Sequence, residues 1–371
     1  MKITFALWST ERNGGTNAIF QVADRLGRMG HTVTIVSAGT KNHGWFTFTS
    51  PVKFLYPEAE IYPSFKIGKK KVLLSEVISY LIKKFSHGLE ISRHRLLAEA
   101  IPPDSECIIA TFFETAFSVQ MAEVERAKKF YYVQHFESVF FTDSISKQRV
   151  KQTYFFPLGK IVSSTWANNM LAKEIGQTGS VVLPGIDTST FRPCGSTSRP
   201  SGFTVVALGK AAPVKGLKYL LEGLSMANDQ IPGLRLVLFG TEPELKDLSP
   251  VKTEYIIGPS NEQLANIYSN SDVLVTPSLF ESSPSPPLEA MACGTPVVTT
   301  QFGTEDYCFD GFNSLVIPPK NPSAISRALV SLYGDSELRE KLRKNGLQTV
   351  KELNWDKTAS EFNSIITANI E

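Results

Sequence analysis

Four charged side chains in the second half of the chain have the types and spacing for chemistry on a hydroxyl-rich phosphate ester. Glu281 and Glu289 stand in FESSPSPPLEAMACGTPVV with seven residues between them. Glu281 is expected on a Pro/Ser-rich loop, and Glu289 is expected to open an Ala/Met-rich helix, Leu288–Ala292, ended by a Gly-Thr-Pro turn. That layout would aim two carboxylates and a row of free helix N–H groups at one ligand. A carboxylate is a bidentate acceptor suited to the vicinal hydroxyls of a ribose or hexose. A Glu near a helix start also gains about 0.3–1 kcal/mol from the helix dipole, so an ordinary first-turn Glu is the alternative for Glu289 taken alone. Lys210 and Lys215 stand in GKAAPVKG. Two cations on one loop suit a diphosphate leaving group. Charge grows on the β-phosphate as a glycosidic bond breaks, and fixed cations stabilise that charge more than the ground state. Two solvated surface lysines are the bland alternative.

The first half offers weaker candidates. Gly14 and Gly15 follow an apolar strand and precede a helix, where glycines allow a ligand close to the backbone and the helix N-terminus favours phosphate. There is no G-x-G-x-x-G, so a dinucleotide fingerprint is absent. His135, in YYVQHFES with Gln134 and Glu137 beside it, follows another apolar strand. It could donate to a sugar hydroxyl or carry a proton near pH 7, or be a hydrogen-bonded structural histidine. With no H-E-x-x-H, C-x-x-C or D-x-D in the chain, no catalytic metal is expected.

Two series of short apolar strands alternating with helices must hold these residues. In the first, strands are expected at Ile3–Leu7, Val33–Val36, Cys107–Ala110, Phe130–Val133 and Lys160–Ser163. A polar loop Ser9–Thr16 follows the first of them, then a helix Ala18–Met29 with Gly30 as its left-handed stop. In the second, strands are expected at Phe203–Leu208, Arg235–Phe239, Tyr255–Ile257, Val273–Thr276 and Pro296–Thr299, with helices at Lys215–Asn228 and Asn261–Asn270. The pattern implies an α/β chain of two Rossmann-like, doubly wound domains with parallel sheets covered on both faces. Their boundaries are placed at 1–186 and 187–354, with Asp187–Ser201 as linker and an amphipathic helix from Trp355 to the end. In such sheets ligands sit beyond the carboxyl ends of the strands, where the Gly14, Lys210–Lys215 and Glu281 loops all fall, so one interdomain site is expected.

A length of 371 residues makes two domains the prior. A net charge of +2 gives no reason to expect nucleic acid as partner. Cys107, Cys194, Cys293 and Cys308 are scattered, as in a cytoplasmic protein with reduced thiols. The opening MKITFALWST reads as a strand rather than a signal segment, and no apolar run approaches the roughly 20 residues of a membrane span. Residues 66–85, KIGKKKVLLSEVISYLIKKF, read as a basic amphipathic helix. Either it contacts the inner face of a membrane peripherally or it is an ordinary helix with solvated lysines.

The string F-E-x7-E-A-M-A-C-G-T-P-V-V, with VVALGKAAPVKG and GPSNEQLANIYSNSDVLVTPS before it, resembles family 4 of the nucleotide-sugar glycosyltransferases, also called glycosyltransferase group 1. The resemblance covers nearly all of the second domain and is thinner in the first. It implies the GT-B fold, with the donor held mainly by the second domain and the C-terminal helix 355–371 crossing back to the first, and metal-independent transfer that retains anomeric configuration. It implies that Glu289 binds the donor ribose and that Glu281 sits by the transferred sugar. Lys210 and Lys215 would bind the diphosphate, Gly15 would lie between donor phosphate and acceptor, and His135 near the sugar's far hydroxyls. The family usually has Gly-Phe-Gly-Leu after the first glutamate, where this chain has Ser282-Ser283-Pro284-Ser285. Ser283, Pro284 and Ser285 would then line an altered sugar pocket, since Pro284, Pro286 and Pro287 each remove a donor. The family commonly has Arg where Lys210 stands, and Lys is a point charge rather than a fork.

The expected function is transfer of a sugar from a nucleotide diphosphate sugar to a glycan or lipid-linked acceptor, in glycan, polysaccharide or glycolipid synthesis, with no cofactor. The alternatives are a same-fold phosphorylase or nucleotide-sugar epimerase, or a non-catalytic nucleotide-sugar-binding partner.

Overall fold

The computed structural model describes residues 1–39, 43–57, 64–67, 70–73, 87–194 and 201–368. The chain divides into two compact units, one of residues 1–162, 171–180 and 359–371, the other of residues 163–170 and 181–358.

Strands β1 (Lys2–Leu7), β2 (Thr32–Ser37), β3 (Val52–Leu55), β4 (Ser64–Ile67), β5 (Lys70–Leu73), β6 (Cys107–Ala110), β7 (Lys128–Val133), β8 (Gly159–Val162) and β9 (Ser180–Val181) come first. Helices α1 (Gly14–Arg28), α2 (His87–Glu99), α3 (Phe113–Met121), α4 (Ser144–Thr153) and α5 (Thr165–Ile175) alternate with them. The main sheet has the order β3-β2-β1-β6-β7-β8-β9, and its pairs from β3 to β8 are parallel. Strand β1 is buried at every residue after Lys2, as expected of a parallel strand covered on both faces.

Helix α1 starts at Gly14, earlier than the expected Ala18, because the Asn13 side chain accepts the Thr16 N–H and caps it. Gly14 and Gly15 therefore form the first turn of the helix rather than a loop. Gly30 stops the helix with φ +93°, as expected. The expected basic helix at 66–85 is corrected at its start: β4 and β5 pair antiparallel, with Lys66 opposite Lys71 and Phe65 opposite Val72. Residues 74–86 lie outside the described residues. Among the described residues, no helix is long and apolar enough to cross a membrane.

The second unit holds β10 (Thr204–Gly209), β11 (Arg235–Gly240), β12 (Lys252–Ile257), β13 (Val273–Thr276), β14 (Val297–Thr299) and β15 (Leu315–Val316). Its helices are α6 (Leu217–Ala227), α7 (Asn261–Ser269), α8 (Ser285–Ala292), α9 (Pro322–Gly334) and α10 (Ser336–Lys351). The sheet is parallel, in the order β12-β11-β10-β13-β14-β15. Val205 and Ala207 belong to one buried cluster with Leu220, Leu224 and Leu329. Val206, between them, belongs to another with Tyr268, Leu288 and Met291. This alternation places helices on both faces of the sheet. Ile186 and Phe191 are buried in the second of these clusters, while residues 195–200 of the expected linker lie outside the described residues. Phe362 of the last helix, α11 (Trp355–Ala368), packs against Phe5 and Tyr132 of the first unit.

After β10 the chain winds outward through β11 and β12, then returns to β13 on the opposite side of β10. That reversal makes the carboxyl ends of β10 and β13, and the loops that follow them, the topological switch point of the sheet.

Candidate functional site

The loop after β10 carries Lys210 and Lys215, and the loop after β13 carries Glu281. Three contacts bring the loops together. The Leu279 N–H donates to the Val214 carbonyl at 2.7 Å. Gly216, at φ +70°, lies so close to Pro277 that an added Cβ would stand 2.1 Å from the Pro277 carbonyl oxygen. Lys215 Nζ reaches Glu281 Oε1 at 2.5 Å, with both side chains partly buried. Lys215 ends a short 3-10 turn, Pro213–Lys215, rather than opening the helix expected from Lys215 onward, because Gly216 turns left-handed before α6 starts.

Ser278 Oγ donates to the same Glu281 oxygen at 2.9 Å, and its carbonyl accepts from Thr300 Oγ1 at 2.6 Å. Gly303, at φ +68°, approaches the backbone behind Glu281, where an added Cβ would meet the Ser282 carbonyl at 2.6 Å. Ser282 is buried, its Oγ 3.3 Å from Ser164 Oγ, and Phe280 packs edge-on against Trp166. The loop is thus held from three sides, and the Glu281 carboxylate is oriented by one ammonium and one hydroxyl.

Glu289 does not open its helix. Helix α8 begins at Ser285, so Glu289 is its fifth residue and lies beyond the first turn, where the dipole acts. Pro286 and Pro287 fit that first turn because its N–H groups have no helical acceptor to lose. The expected row of free N–H donors is corrected too: of Pro284, Ser285, Pro286 and Pro287, Ser285 alone has an N–H. The Pro284 carbonyl accepts from buried Tyr307 OH at 2.6 Å, while Ser283 and Ser285 are partly or fully exposed. Glu289 Oε2 accepts from Tyr268 OH at 2.9 Å. Burial, and then the neighbouring Glu289 carboxylate, push the Tyr268 phenol well above its usual range, so it stays a donor.

Lys210 is exposed, and its ammonium has no partner among the described residues. In the first unit, Gly15 lies against the Gln134 side chain, whose Oε1 would stand 3.2 Å from an added Cβ; Gly14 has open space there. His135 is half-buried, its ring 4.5 Å from that of Phe140. Its neighbour Glu137 is 2% exposed and accepts from the Phe113 N–H and Tyr131 OH, so it is an internal brace rather than a surface group. Among the described residues, no group of three or more His, Cys, Asp or Glu could hold a metal ion.

Sequence spacing singled out Lys215 and Glu281, which the structure pairs, and Glu289, which it sets against Tyr268. Spacing missed Tyr268, Ser278, Thr300 and Gly303. Of these, Gly303 alone had a local signal, a glycine between Phe302 and Thr304 soon after an apolar strand.

Residues 196–349 match the model of the family described as Glycosyl transferases group 1. The chain is 28% identical over 203 residues to a D-inositol 3-phosphate glycosyltransferase of Paenarthrobacter aurescens, covering 48% of this chain and 49% of that protein. It is 29% identical over 229 residues to the protein of that name from Acidothermus cellulolyticus, covering 54% and 51%. The chain thus spans about half the length of the curated relatives it matches. Among solved structures it resembles Anabaena HepE in complex with UDP and glucose, with a TM-score of 0.76 and 15% identity over 99% of this chain and 100% of that one. It also resembles a sucrose-phosphate synthase from Thermosynechococcus elongatus, with a TM-score of 0.76 and 18% identity over 100% and 99%. These likenesses show the fold, two Rossmann-like units of the GT-B class. Lys215, Ser278, Glu281, Thr300 and Gly303 all fall inside residues 196–349, the part of the second unit that matches the glycosyltransferase group 1 model.

Proposed function

We propose that this protein transfers a sugar from a nucleotide diphosphate sugar to an acceptor hydroxyl, with retention at the anomeric carbon. The observation that carries the reading is the Lys215–Glu281 pair at the switch point of the second sheet, with Lys210 earlier on the same loop and Glu289 on the helix that follows. Relatives named as glycosyltransferases and a fold neighbour bound to UDP support a nucleotide-sugar donor. The relatives' acceptor, an inositol phosphate by their name, supports a polyol or sugar hydroxyl as the attacked group.

In this reading Glu289 grips the ribose hydroxyls. Lys210 and Lys215 take up the charge that grows on the diphosphate as the glycosidic bond lengthens. Such stabilisation is larger in the transition state than in the ground state and therefore speeds the chemistry. Glu281, turned toward Lys215, orients the sugar and faces the positive charge at its anomeric carbon. The acceptor oxygen attacks from the face the leaving group departs, and the departing phosphate takes its proton. Gly15 would lie between the donor phosphate and the acceptor, and His135 by the far hydroxyls of the transferred sugar. The lysines provide cationic charge in place of a metal ion, and the four free thiols suit a reducing compartment.

The test is a thermal-shift panel of UDP, GDP, ADP and dTDP and their sugars, followed by release of the nucleoside diphosphate on adding sugar or polyol acceptors. Stabilisation by one nucleotide and acceptor-dependent release support transfer. Release that requires inorganic phosphate identifies a phosphorylase, and no response to any of the four sinks the donor assignment.

A further inference from the structure

Lys210 is exposed, yet the backbone on both sides of it is held. The Gly209 carbonyl, one residue before it, accepts from Tyr255 OH at 2.8 Å. The Ala211 N–H, one residue after it, donates to Glu242 Oε2 at 2.7 Å. The two partners are joined, because the Glu242 N–H donates to the Tyr255 hydroxyl at 2.8 Å. A closed chain of three hydrogen bonds therefore runs around Lys210, using a hydroxyl that donates and accepts at once.

The fold makes room for this phenol. Tyr255 lies on β12, with β11 between it and β10. Its ring reaches across both strand ends, where each neighbour is glycine. A Cβ on Gly209 would stand 2.5 Å from the ring, and one on Gly240 would stand 2.7 Å from the hydroxyl. A flexible loop lysine does not require such a brace; a lysine that must meet a charge at one place does. Glu242 also occupies the Ala211 N–H, so this stretch offers an anion the Lys210 ammonium rather than that backbone donor.

We infer that Tyr255 and Glu242 are positioning residues that fix where the Lys210 ammonium meets the diphosphate of the donor and of the nucleotide product. The inference rests on the role given to Lys210 above. Organising a charge for the transition state affects turnover more than ground-state binding, so loss of the brace lowers kcat more than it raises the donor KM.

The experiment is a double-mutant cycle with Tyr255→Phe and Lys210→Ala, read by calorimetry with the tightest binder among UDP, GDP, ADP and dTDP. Tyr255→Phe keeps the ring and removes the hydroxyl; it is expected to weaken binding about five- to tenfold with Lys210 present and less than twofold in the K210A background. Glu242→Ala is expected to behave like Tyr255→Phe, and Glu242→Gln, which keeps an acceptor oxygen, to stay within twofold of the wild type. Melting curves check that each variant folds, and Glu242 supplies the comparison if the Tyr255 variant does not. An equal loss with and without Lys210 overturns the brace while leaving the diphosphate site intact. An unchanged affinity in K210A, or no binding by any of the four nucleotides, overturns the role of Lys210 and the brace with it.

Discussion

Gly216 and Pro277 touch backbone to backbone, with an added Cβ on Gly216 placed 2.1 Å from the Pro277 carbonyl oxygen. This contact lets the loop carrying the lysines lie against the loop carrying Glu281. Gly216 also has φ +70°, a left-handed conformation in which a side chain is strained. Gly216→Ala is therefore expected to destabilise the second unit by about 2–3 kcal/mol. For a unit of this size that lowers Tm by roughly 4–12 °C. The same variant should weaken nucleoside diphosphate binding, because Lys215 is the residue next to the forced shift. A melting curve that overlays the wild type would show that the loops do not need this approach.

The pair formed by Lys215 and Glu281 predicts opposite effects for its two members. Removing the cation in Lys215→Ala leaves the carboxylate facing the diphosphate without its partner. Nucleoside diphosphate affinity is expected to fall at least tenfold, and kcat/KM for transfer by about 100- to 1,000-fold. Glu281→Gln keeps the shape and removes the negative charge. Its nucleotide affinity is expected to match or exceed the wild type, while kcat falls about 100-fold because the developing positive charge on the sugar loses its counter-ion. Calorimetry and initial rates on both variants separate the roles. Parallel losses in affinity would argue that the pair is structural.

Glu289 carries its own signature. A carboxylate that grips ribose hydroxyls discriminates ribose from 2′-deoxyribose, because its acceptor oxygens are left unmatched without them. The wild type is expected to bind a ribonucleoside diphosphate about tenfold more tightly than its 2′-deoxy form, and Glu289→Ala to erase that preference. Tyr268→Phe removes the phenol 2.9 Å from Glu289 Oε2 and should reduce the preference without abolishing it. Retention of full discrimination in Glu289→Ala would place the ribose elsewhere.

What the sequence made legible follows from what each signal measures. Val273–Thr276 and Cys107–Ala110 were bounded correctly because each is a short apolar run buried along its whole length. The edge strand Val52–Leu55 was passed over, since Lys53 interrupts it and half-exposed positions carry little pattern. Helices α1 and α8 both start earlier than apolar spacing indicated. Their first turns are built from glycine, serine and proline, which apolar periodicity does not register. In the site, Lys215 and Glu281 stood out because charged residues on loops after apolar strands have few structural duties. Tyr268 and Tyr255 did not, since a tyrosine in a sequence looks like core, and where its hydroxyl points is decided by neighbours distant along the chain.

Glu137 supplies a prediction that depends on burial rather than on any ligand. Its carboxyl accepts from the Phe113 N–H at 2.7 Å and Tyr131 OH at 2.9 Å, and its own N–H donates to Tyr154 OH at 2.9 Å. Burial pushes the carboxyl from an ordinary 4.5 up to about 8, against the two bonds it accepts, and nearby Glu114 adds a smaller push upward. Between those two pH values the folded protein holds a proton that the unfolded chain has released. Stability from this group therefore falls as pH rises through that window, and the loss is complete above about 8. Glu137→Gln keeps the shape and never ionises. The two proteins should melt within a few degrees of each other at pH 4.5, while at pH 9 the variant should be the more stable, by on the order of 4 kcal/mol. Urea or thermal unfolding of the pair across pH 4.5–9 is the measurement. Parallel curves would mean that Glu137 is ionised throughout and that the two hydrogen bonds its carboxylate accepts outweigh the loss of water.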